Sequence, residues 1–175
     1  MTEQEIIESL RKTLKPSRFE HSLGVTETAV KMAKVFGADE NKCRLAGLIH
    51  DCAKSMSVQD MLSEINAGGI ELYDGETDYP LLLHAPAGAA LAKRIYGVKD
   101  TEVLSAVRKH TTGKDMNLIE KIIFVADFIE PGRESFDGLE KARETAFCDI
   151  DEAVKLCKKL TQEYCIANGQ KVFSI

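Results

Sequence analysis

Apolar residues recur along this 175-residue chain at intervals of three and four, which is the spacing of the buried face of an amphipathic helix. Ile6, Leu10 and Leu14 follow this spacing near the start of the chain, and Ile119 and Ile122 follow it in the second half. No segment alternates apolar and polar residues over the length of a strand. The pattern therefore predicts an all-α fold, a helical bundle.

Capping residues and glycines predict where the helices begin and end. Five residues that favour the N-cap position are followed three residues later by Glu, as in a capping box: Thr2, Ser17, Asn117, Asp137 and Asp149. Four glycines are placed where a left-handed residue would end a helix: Gly37, Gly68, Gly97 and Gly169.

Two segments interrupt the helical pattern. Residues 68–80 are rich in glycine and form a predicted loop that runs directly towards His84, so we expect it to form one lip of a pocket. A second break covers residues 130–135. No linker rich in Pro, Gly or Ser divides the chain, so we predict a single domain over 1–175. Its motifs lie within 17–135, and C-terminal helices follow over 137–170.

Composition narrows the class of protein. The formal net charge of −5 argues against a binder of nucleic acid polymers, and no apolar run approaches the ~20 residues that a membrane span requires. The polar N-terminus is unlike a signal peptide. The five cysteines have no CxxC spacing and lie among apolar residues of predicted helices. We therefore expect reduced thiols in the core and a cytoplasmic protein.

All four histidines belong to one pattern with two aspartates. In chain order the six residues are His21, His50, Asp51, His84, His110 and Asp127. Imidazole and carboxylate together suit iron, manganese or zinc. Six such groups are enough to hold two divalent ions and still leave positions open for water and substrate. The pattern therefore indicates a two-metal hydrolytic site.

Each candidate ligand also has an ordinary explanation. A single histidine on an apolar face is usually a hydrogen-bonded core residue, and His50 with Asp51 could be a bonded pair within a helix. Neighbours on a helix point about 100° apart, however, so these two can approach one ion from different sides. Asp127 lies in an apolar segment, where an unpaired charge costs several kcal/mol to bury. It needs a cation, a dense set of hydrogen bonds or a proton.

The local sequences around these residues resemble the bacterial YqeK-type branch of the HD superfamily. The resemblance rests on five blocks: Arg18–Val25 (RFEHSLGV), His50–Lys54 (HDCAK), His84–Ala89 (HAPAGA), His110–Gly113 (HTTG) and Ala126–Arg133 (ADFIEPGR). It implies an HD-domain helical bundle, a di-iron centre and the symmetric hydrolysis of diadenosine tetraphosphate to two ADP. It also implies a homodimer.

The resemblance further implies roles for the six ligands. One metal would take His21, His50, Asp51 and Asp127. The other would take His84 and His110, with Asp51 as the bridge, so that Asp51, His84 and His110 are the catalytic candidates. A hydroxide held between two ions would attack an inner phosphorus of the substrate. Iron is favoured only by the resemblance, and the ligand types allow manganese or zinc equally well.

A substrate with several negative charges needs cationic contacts. Four basic residues lie within a few positions of a proposed ligand: Arg18, Lys54, Lys109 and Arg133. Each could equally be a solvated surface charge, but together they would supply a local positive field on an acidic protein. The hydroxyls of Thr111 and Thr112 could bond phosphate oxygens, or they could cap the end of a helix.

Two other functions stay open. The same metal core could serve a nucleotidase or phosphatase of simpler nucleotides. Alternatively, the chain could bind metal and nucleotide as a regulator without turnover. A hydrolysis assay separates these alternatives, because only an enzyme depends on the predicted bridging carboxylate of Asp51 for turnover.

Overall fold

The computed structural model describes residues 1–173, and every regular element within them is helical, which confirms the predicted all-α class. The α-helices are α1 (Glu3–Thr13), α2 (Pro16–Phe36), α3 (Glu40–Ile49), α4 (Val58–Gly68), α5 (His84–Arg94), α6 (Thr101–Lys109), α7 (Leu118–Ile129), α8 (Leu139–Ala146) and α9 (Ile150–Ala167). Helices α2, α3 and α7 pack together at the centre of the bundle. Helices α5 and α6 cover one side of this centre, and α9 packs on α7.

The packing of α2 against α3 depends on a glycine. A Cβ atom at Gly47 would lie 3.0 Å from the Cα atom of Thr26, so only glycine allows the two backbones to approach this closely. The contact brings the end of α3 against the middle of α2. It thereby places His50, the residue directly after α3, inside the bundle, where its side chain is fully buried.

The predicted helix starts are correct in three of five cases. Thr2 and Asn117 form capping boxes, and the Asp149 side chain accepts hydrogen bonds at the start of α9. The prediction at Ser17 is wrong, because α2 begins one residue earlier at a proline, whose fixed φ and missing N–H suit the first turn of a helix. The prediction at Asp137 is also wrong, since α8 begins after Gly138 without a side-chain cap.

The predicted helix ends agree with the structure at three of four glycines. Gly37 ends α2 in the left-handed conformation, and Gly97 and Gly169 adopt it just beyond the ends of their helices. Gly68 instead stays within α4, and Gly69 takes the left-handed cap with φ 62°. Gly68 has a packing role, because a Cβ atom there would lie 2.6 Å from the Cβ atom of Ala90 on α5.

The segment that joins α4 to α5 is fixed to α6 by a buried ion pair. It contains two short 3₁₀ turns, Glu76–Asp78 and Pro80–Leu82. The guanidinium of Arg108 donates to both carboxylate oxygens of Glu76, at 2.9 and 2.6 Å, and Glu76 is fully buried. The same guanidinium lies 4.1 Å from the ring centroid of Tyr73. The second 3₁₀ turn therefore meets the start of α5 in a defined position.

The cysteines are free, but they do not all lie in the core. Cys43, Cys52 and Cys157 are buried as expected, whereas Cys148 is exposed and Cys165 is partly exposed. The expectation of core thiols is therefore wrong for the last two: Cys148 lies in the turn between α8 and α9, and Cys165 lies in the last turn of α9. A separate finding concerns membranes: no helix among residues 1–173 is long and apolar enough to cross one.

We expect two of the five cysteines to react with iodoacetamide in the native protein. Burial raises the pKa of Cys43, Cys52 and Cys157 to about 12, so these thiols hold almost no thiolate at about pH 8 and are also shielded from the reagent. Mass spectrometry after alkylation should locate the label at Cys148 and Cys165 only. Denaturant should expose the other three, and their rapid alkylation in the native state would contradict the packing described.

Candidate metal centre

Six side chains from five helical segments converge inside the bundle. His50 and His110 directly follow the last residues of α3 and α6, and Asp51 comes next after His50. Asp127 lies in the last turn of α7. The other two come from helix starts: His84 begins α5, and His21 lies in the first turns of α2. The structure thus brings together all six residues of the predicted ligand set.

Three of the histidines are oriented by their own backbone. In each, Nδ1 lies 2.7 Å from the carbonyl oxygen three residues earlier: Gly47 for His50, Leu81 for His84 and Val107 for His110. A carbonyl only accepts, so Nδ1 is the protonated nitrogen that donates. The Nε2 atom of each ring then carries a free lone pair. This is the arrangement of metal-binding histidines, whose second nitrogen bonds to a backbone or carboxylate oxygen.

His21 is oriented by a carboxylate that was not among the predicted site residues. Its Nδ1 lies 3.1 Å from Oε1 of Glu130, which is 3% exposed. Glu130 is itself held by the backbone N–H of Gly132, which donates to Oε2. A Cβ atom at Gly24 would lie 2.5 Å from the same oxygen, so glycine in α2 is needed for Glu130 to approach. Glu130 and Gly24 both lie within the blocks that carry the family resemblance, but their spacing in the sequence does not predict that they contact His21 or each other.

Several atoms that face the centre of the cluster are acceptors without donors. The Nε2 atoms of His84 and His110 lie only 3.1 Å apart, although their Nδ1 atoms already hold the ring protons. Nε2 of His21, Nε2 of His50 and Oδ1 of Asp51 are buried and have no hydrogen-bond partner among the described residues. Lone pairs that meet at such distances repel one another unless a cation lies between them.

The two carboxylate oxygens of Asp51 face different histidines. Oδ1 lies 3.1 Å from Nε2 of His84 and 3.6 Å from Nε2 of His110. Oδ2 lies 3.5 Å from Nε2 of His50 and 3.9 Å from Nε2 of His21. A carboxylate placed in this way can offer one oxygen to each of two neighbouring cations.

Asp127 completes the half of the cluster that contains His21 and His50. Its Oδ1 lies 2.9 Å from Nε2 of His21 and 3.8 Å from Nε2 of His50. The contact with His21 is short but poorly aligned for a hydrogen bond, since Nε2 of His21 has no bonded partner. His21, His50 and Asp127 therefore form a group whose ligand atoms could hold one ion.

The electrostatic setting keeps the carboxylates ionised. Burial would raise the pKa of Asp51, but the histidines around it, His50 above all, hold it well below its usual value. Burial acts in the same way on Asp127, and His21, His50 and Arg133 hold its pKa low. Burial lowers the pKa of His84 to about 4, so this imidazole is neutral at pH 7. The cluster thus offers charged oxygens and neutral nitrogen, as a divalent cation requires.

Three of the four predicted substrate-binding cations lie at the cluster. Arg18 donates to Oδ2 of Asp51 at 2.9 Å, and Nζ of Lys54 lies 3.0 Å from Nε2 of His84. Arg133 donates to Oδ1 of Asp127 at 2.8 Å. Lys109 is placed differently, because its ammonium donates to Glu120 and to the Asp115 carbonyl, at the contact of α6 with α7. Its bonded partners do not belong to the cluster.

A cavity of about 610 Å³ lies beside the cluster. The Thr111–Thr112 turn, which directly follows His110, forms part of its wall, and residues 78–82 of the α4–α5 segment form another part. The expectation that this segment borders a pocket agrees with its position. The residues of α9 and of the segment after it complete the wall.

The donor set fits divalent transition metals. Four imidazole nitrogens and two ionised carboxylates converge, each imidazole has an outer hydrogen-bond partner, and several buried acceptors lack any donor. Imidazole with carboxylate suits iron, manganese and zinc better than calcium or magnesium, which prefer oxygen ligands throughout.

Comparison with known proteins agrees with this chemistry. Residues 18–132 match the family model of the HD domain. The chain is similar to proteins named symmetrical bis(5′-nucleosyl)-tetraphosphatase from Halalkalibacterium halodurans and Bacillus subtilis, each at 36% identity over 99% of this chain and 92% of the relative. It also superposes with a TM-score of 0.94 on a crystal structure from Clostridium acetobutylicum, a "predicted HD superfamily hydrolase involved in NAD metabolism". That protein is 39% identical, and the match covers 99% of this chain and 92% of that one.

We expect Glu130→Gln to weaken manganese(II) binding by roughly 10–100-fold, the usual effect of losing an outer-sphere partner of a metal ligand. The amide is a weaker acceptor than the carboxylate, so it orients the His21 ring less firmly. Isothermal titration calorimetry of the metal-free protein measures the change.

Glu120→Gln is the matched control for this experiment. Glu120 is also a buried carboxylate on the α7 side of the bundle, but it bonds Lys109, Ser105 and the Asn117 backbone instead of a cluster histidine. This variant should lose thermal stability and keep its metal affinity. Equal affinities for wild type and Glu130→Gln would show that Glu130 does not tune the cluster.

Metal binding should strengthen as the pH rises. Burial would lower the pKa of His50, but the charges of Asp51 and Asp127 outweigh burial and raise it. Below this raised pKa a proton occupies the imidazole and competes with the cation, so affinity falls as the pH drops through it. Manganese titrations at about pH 6 and about pH 8, each in two buffers of different ionisation enthalpy, should show tighter binding at the higher pH and proton release at the lower one. Affinity independent of pH would contradict the role of His50 as a ligand.

Proposed function

The chain belongs to the HD-domain family, and we propose that it is a metal-dependent phosphohydrolase that cleaves diadenosine tetraphosphate symmetrically to two ADP. The observation that carries the proposal is the buried convergence of free imidazole and carboxylate acceptors, which bound cations would satisfy. The substrate is taken from the full-length similarity to the symmetrical tetraphosphatases. Family membership supports divalent metal binding in general, and the finer assignments below are our own.

We propose two metal ions with Asp51 between them. One ion would be held by His21, His50, Asp127 and Oδ2 of Asp51, and the other by His84, His110 and Oδ1 of Asp51. The division of the two Asp51 oxygens between the histidine pairs supports this assignment. We favour iron on the basis of the resemblance to the tetraphosphatases, and manganese or zinc would fit the same ligands.

When bound, the ions would lower the pKa of a coordinated water and take up negative charge from the phosphoryl oxygens. The protein's part is to hold the ligands in place before the substrate arrives. The Nδ1 hydrogen bonds fix the four rings, and burial of His50, His84 and His110 keeps bulk water away. Little reorganisation is then needed as charge develops on the phosphate.

The cations beside the cluster would orient the phosphate chain. Arg18 and Arg133 already bond the carboxylates of Asp51 and Asp127, and a guanidinium has further N–H donors for phosphate oxygens. Lys54 reaches His84, and burial lowers the pKa of this lysine. We propose these three as the substrate contacts of the metal site. Lys109 would act only through the packing of α6 on α7.

Direct attack by water is favoured over a covalent intermediate. Cys52 is the nearest thiol in sequence to the cluster, but it donates to the Gly88 carbonyl, and burial raises its pKa to about 12. A thiol in this state is a poor nucleophile. The catalytic candidates therefore remain Asp51, His84 and His110, acting through the ions they would hold.

We further propose a single domain over 1–175 that works as a cytoplasmic homodimer. The homodimer follows from the resemblance to the tetraphosphatases, and the five free cysteines support a reducing compartment. Light scattering coupled to gel filtration would measure the mass of the assembly. A monomer at micromolar concentration would remove the dimer from the proposal and leave the site unchanged.

We expect anaerobic incubation with diadenosine tetraphosphate and iron(II) or manganese(II) to produce ADP alone, as measured by anion-exchange chromatography. ATP together with AMP would keep the metal site but overturn symmetric cleavage. Release of phosphate from simpler nucleotides, with the dinucleotide left intact, would favour a nucleotidase. Metal binding without any product from a nucleotide panel would favour a regulator.

Asp51→Asn should reduce the rate by roughly 10³-fold, because an amide cannot bridge two cations as a carboxylate does. Bound metal, measured by mass spectrometry, should fall from two ions per chain. The control is Asp39→Asn, the same chemical change at the N-cap of α3, where asparagine caps as well as aspartate. Its activity should match the wild type, and an active Asp51→Asn protein would refute the bridging role.

A further inference from the structure

The cavity beside the metal cluster has the size of a small-molecule site. Its volume of about 610 Å³ falls within the ~300–1,000 Å³ of typical ligand pockets. Its wall comes from four segments far apart in sequence: residues 78–82, the segment 111–114, Phe124 of α7, and α9 with the segment 170–173 that follows it. Tyr79 joins the first and last of these, since its hydroxyl donates to the Val172 carbonyl at 3.3 Å.

Aromatic rings gather in this wall. Tyr79 and Phe173 contact each other edge to face, with ring centroids 4.9 Å apart, and Phe124 of α7 lines the cavity with them. Aromatic side chains are the usual platforms on which nucleobases stack. Because the aromatic content of the chain is only 6%, three rings at one cavity form a local concentration.

The inner end of the cavity adjoins two of the proposed metal ligands. Thr111 and Thr112 directly follow His110, and their hydroxyl oxygens are buried without a hydrogen-bond partner among the described residues. Leu81 also lines the cavity, and its carbonyl orients His84. The cavity wall therefore includes residues that neighbour His84 and His110, and the two threonine hydroxyls directly behind it have no partner within the described part of the chain.

The charge around the cavity suits a phosphorylated ligand. Lys114, Lys158 and Lys171 line it against a single acidic residue, Asp78, although the chain as a whole is acidic. Lys158 also donates to the Gly113 carbonyl at 2.7 Å, which ties α9 to the threonine turn. The wall thus combines apolar rings, unsatisfied hydroxyls and positive charge.

We propose that this cavity binds one nucleoside half of the substrate, an inference that rests on the proposed function for the identity of the ligand. The base lies against Tyr79 and Phe173, and the first phosphates pass the hydroxyls of Thr111 and Thr112 towards His84 and His110. The aromatic rings would stack on the base, and the lysines would attract the phosphates. Neither contact reads the edge of the base, so a purine nucleotide would bind without strong discrimination between bases.

The test is to fill the cavity from its exposed side and to measure nucleotide binding directly. Thr161 lines the cavity on the exposed face of α9, so Thr161→Trp places an indole inside it. With manganese(II) present, calorimetry should show ADP binding weakened by roughly tenfold or more, the scale of one lost base-stacking contact. Binding of methylenediphosphonate, which has two phosphonate groups and no nucleoside, should be unchanged.

The matched control is Tyr164→Trp. Tyr164 lies on the same helix and is 63% exposed, but it does not line the cavity, so ADP affinity should equal that of the wild type. Thr112→Val provides a second variant that removes one free hydroxyl and keeps the side-chain shape. It should weaken ADP and the diphosphonate alike, each several-fold, because this hydroxyl is proposed to contact the phosphates and not the base.

The outcomes separate this inference from the proposed function. Wild-type affinity for ADP in both Thr161→Trp and Thr112→Val would overturn the cavity assignment, even if the protein cleaves the dinucleotide. Equal loss of ADP and diphosphonate binding in Thr161→Trp would also overturn it, because the cavity would then bind phosphate alone. Selective loss of ADP binding in a protein that never cleaves diadenosine tetraphosphate would uphold the cavity and refute the proposed reaction.

Discussion

The charge of Asp51 is the constraint on which the centre of the molecule depends. The residue is 2% exposed, and a carboxylate buried to this extent costs several kcal/mol unless it is compensated. Arg18 compensates one oxygen and the ammonium of Lys54 lies 3.9 Å from the other, but the histidines around Asp51 direct their Nδ1 protons to other acceptors. Bound cations would complete the compensation. The ends of α3 and α6 and the start of α5 converge on this carboxylate. The way these helices pack therefore depends on the negative charge of Asp51 being balanced.

The backbone has as large a part in the site as the ligands themselves. Three histidines are oriented by carbonyl groups, and the fourth is oriented by Glu130, which can approach only because Gly24 lacks a side chain. These contacts set the ring directions before any ion binds. They also explain why His50 and His110 lie where helices end, because the last turn of a helix leaves backbone carbonyls free to accept a side-chain donor.

The convergence of the six residues could be predicted from the sequence because histidine is scarce in this chain and all four histidines belong to one pattern. Glu130 could not, since its role depends on a contact between α2 and the end of α7 that no local spacing reveals. Lys109 was predicted to contact substrate because it adjoins His110 in sequence. Its position on α6 instead directs the ammonium towards Glu120. Helix starts were missed at Ser17 and Asp137, where a proline and a glycine replaced the expected side-chain caps. The cavity could not be predicted from the sequence, because Tyr79, Phe124 and Phe173 are far apart in the chain and come together only in the folded protein.

His50 and His110 cap the C-terminal ends of α3 and α6, and Asp127 lies in the last turn of α7. The C-terminal end of a helix carries roughly half a unit of negative charge. Three such dipoles add their negative ends to the Asp51 and Asp127 carboxylates at the centre of the cluster, while Arg18, Lys54 and Arg133 supply positive charge at its edge. Under the proposed function, the negative centre would attract cations and the positive edge would attract phosphate. Each bound cation would also reduce the repulsion between the centre and phosphate, so the two ligands would strengthen each other's binding.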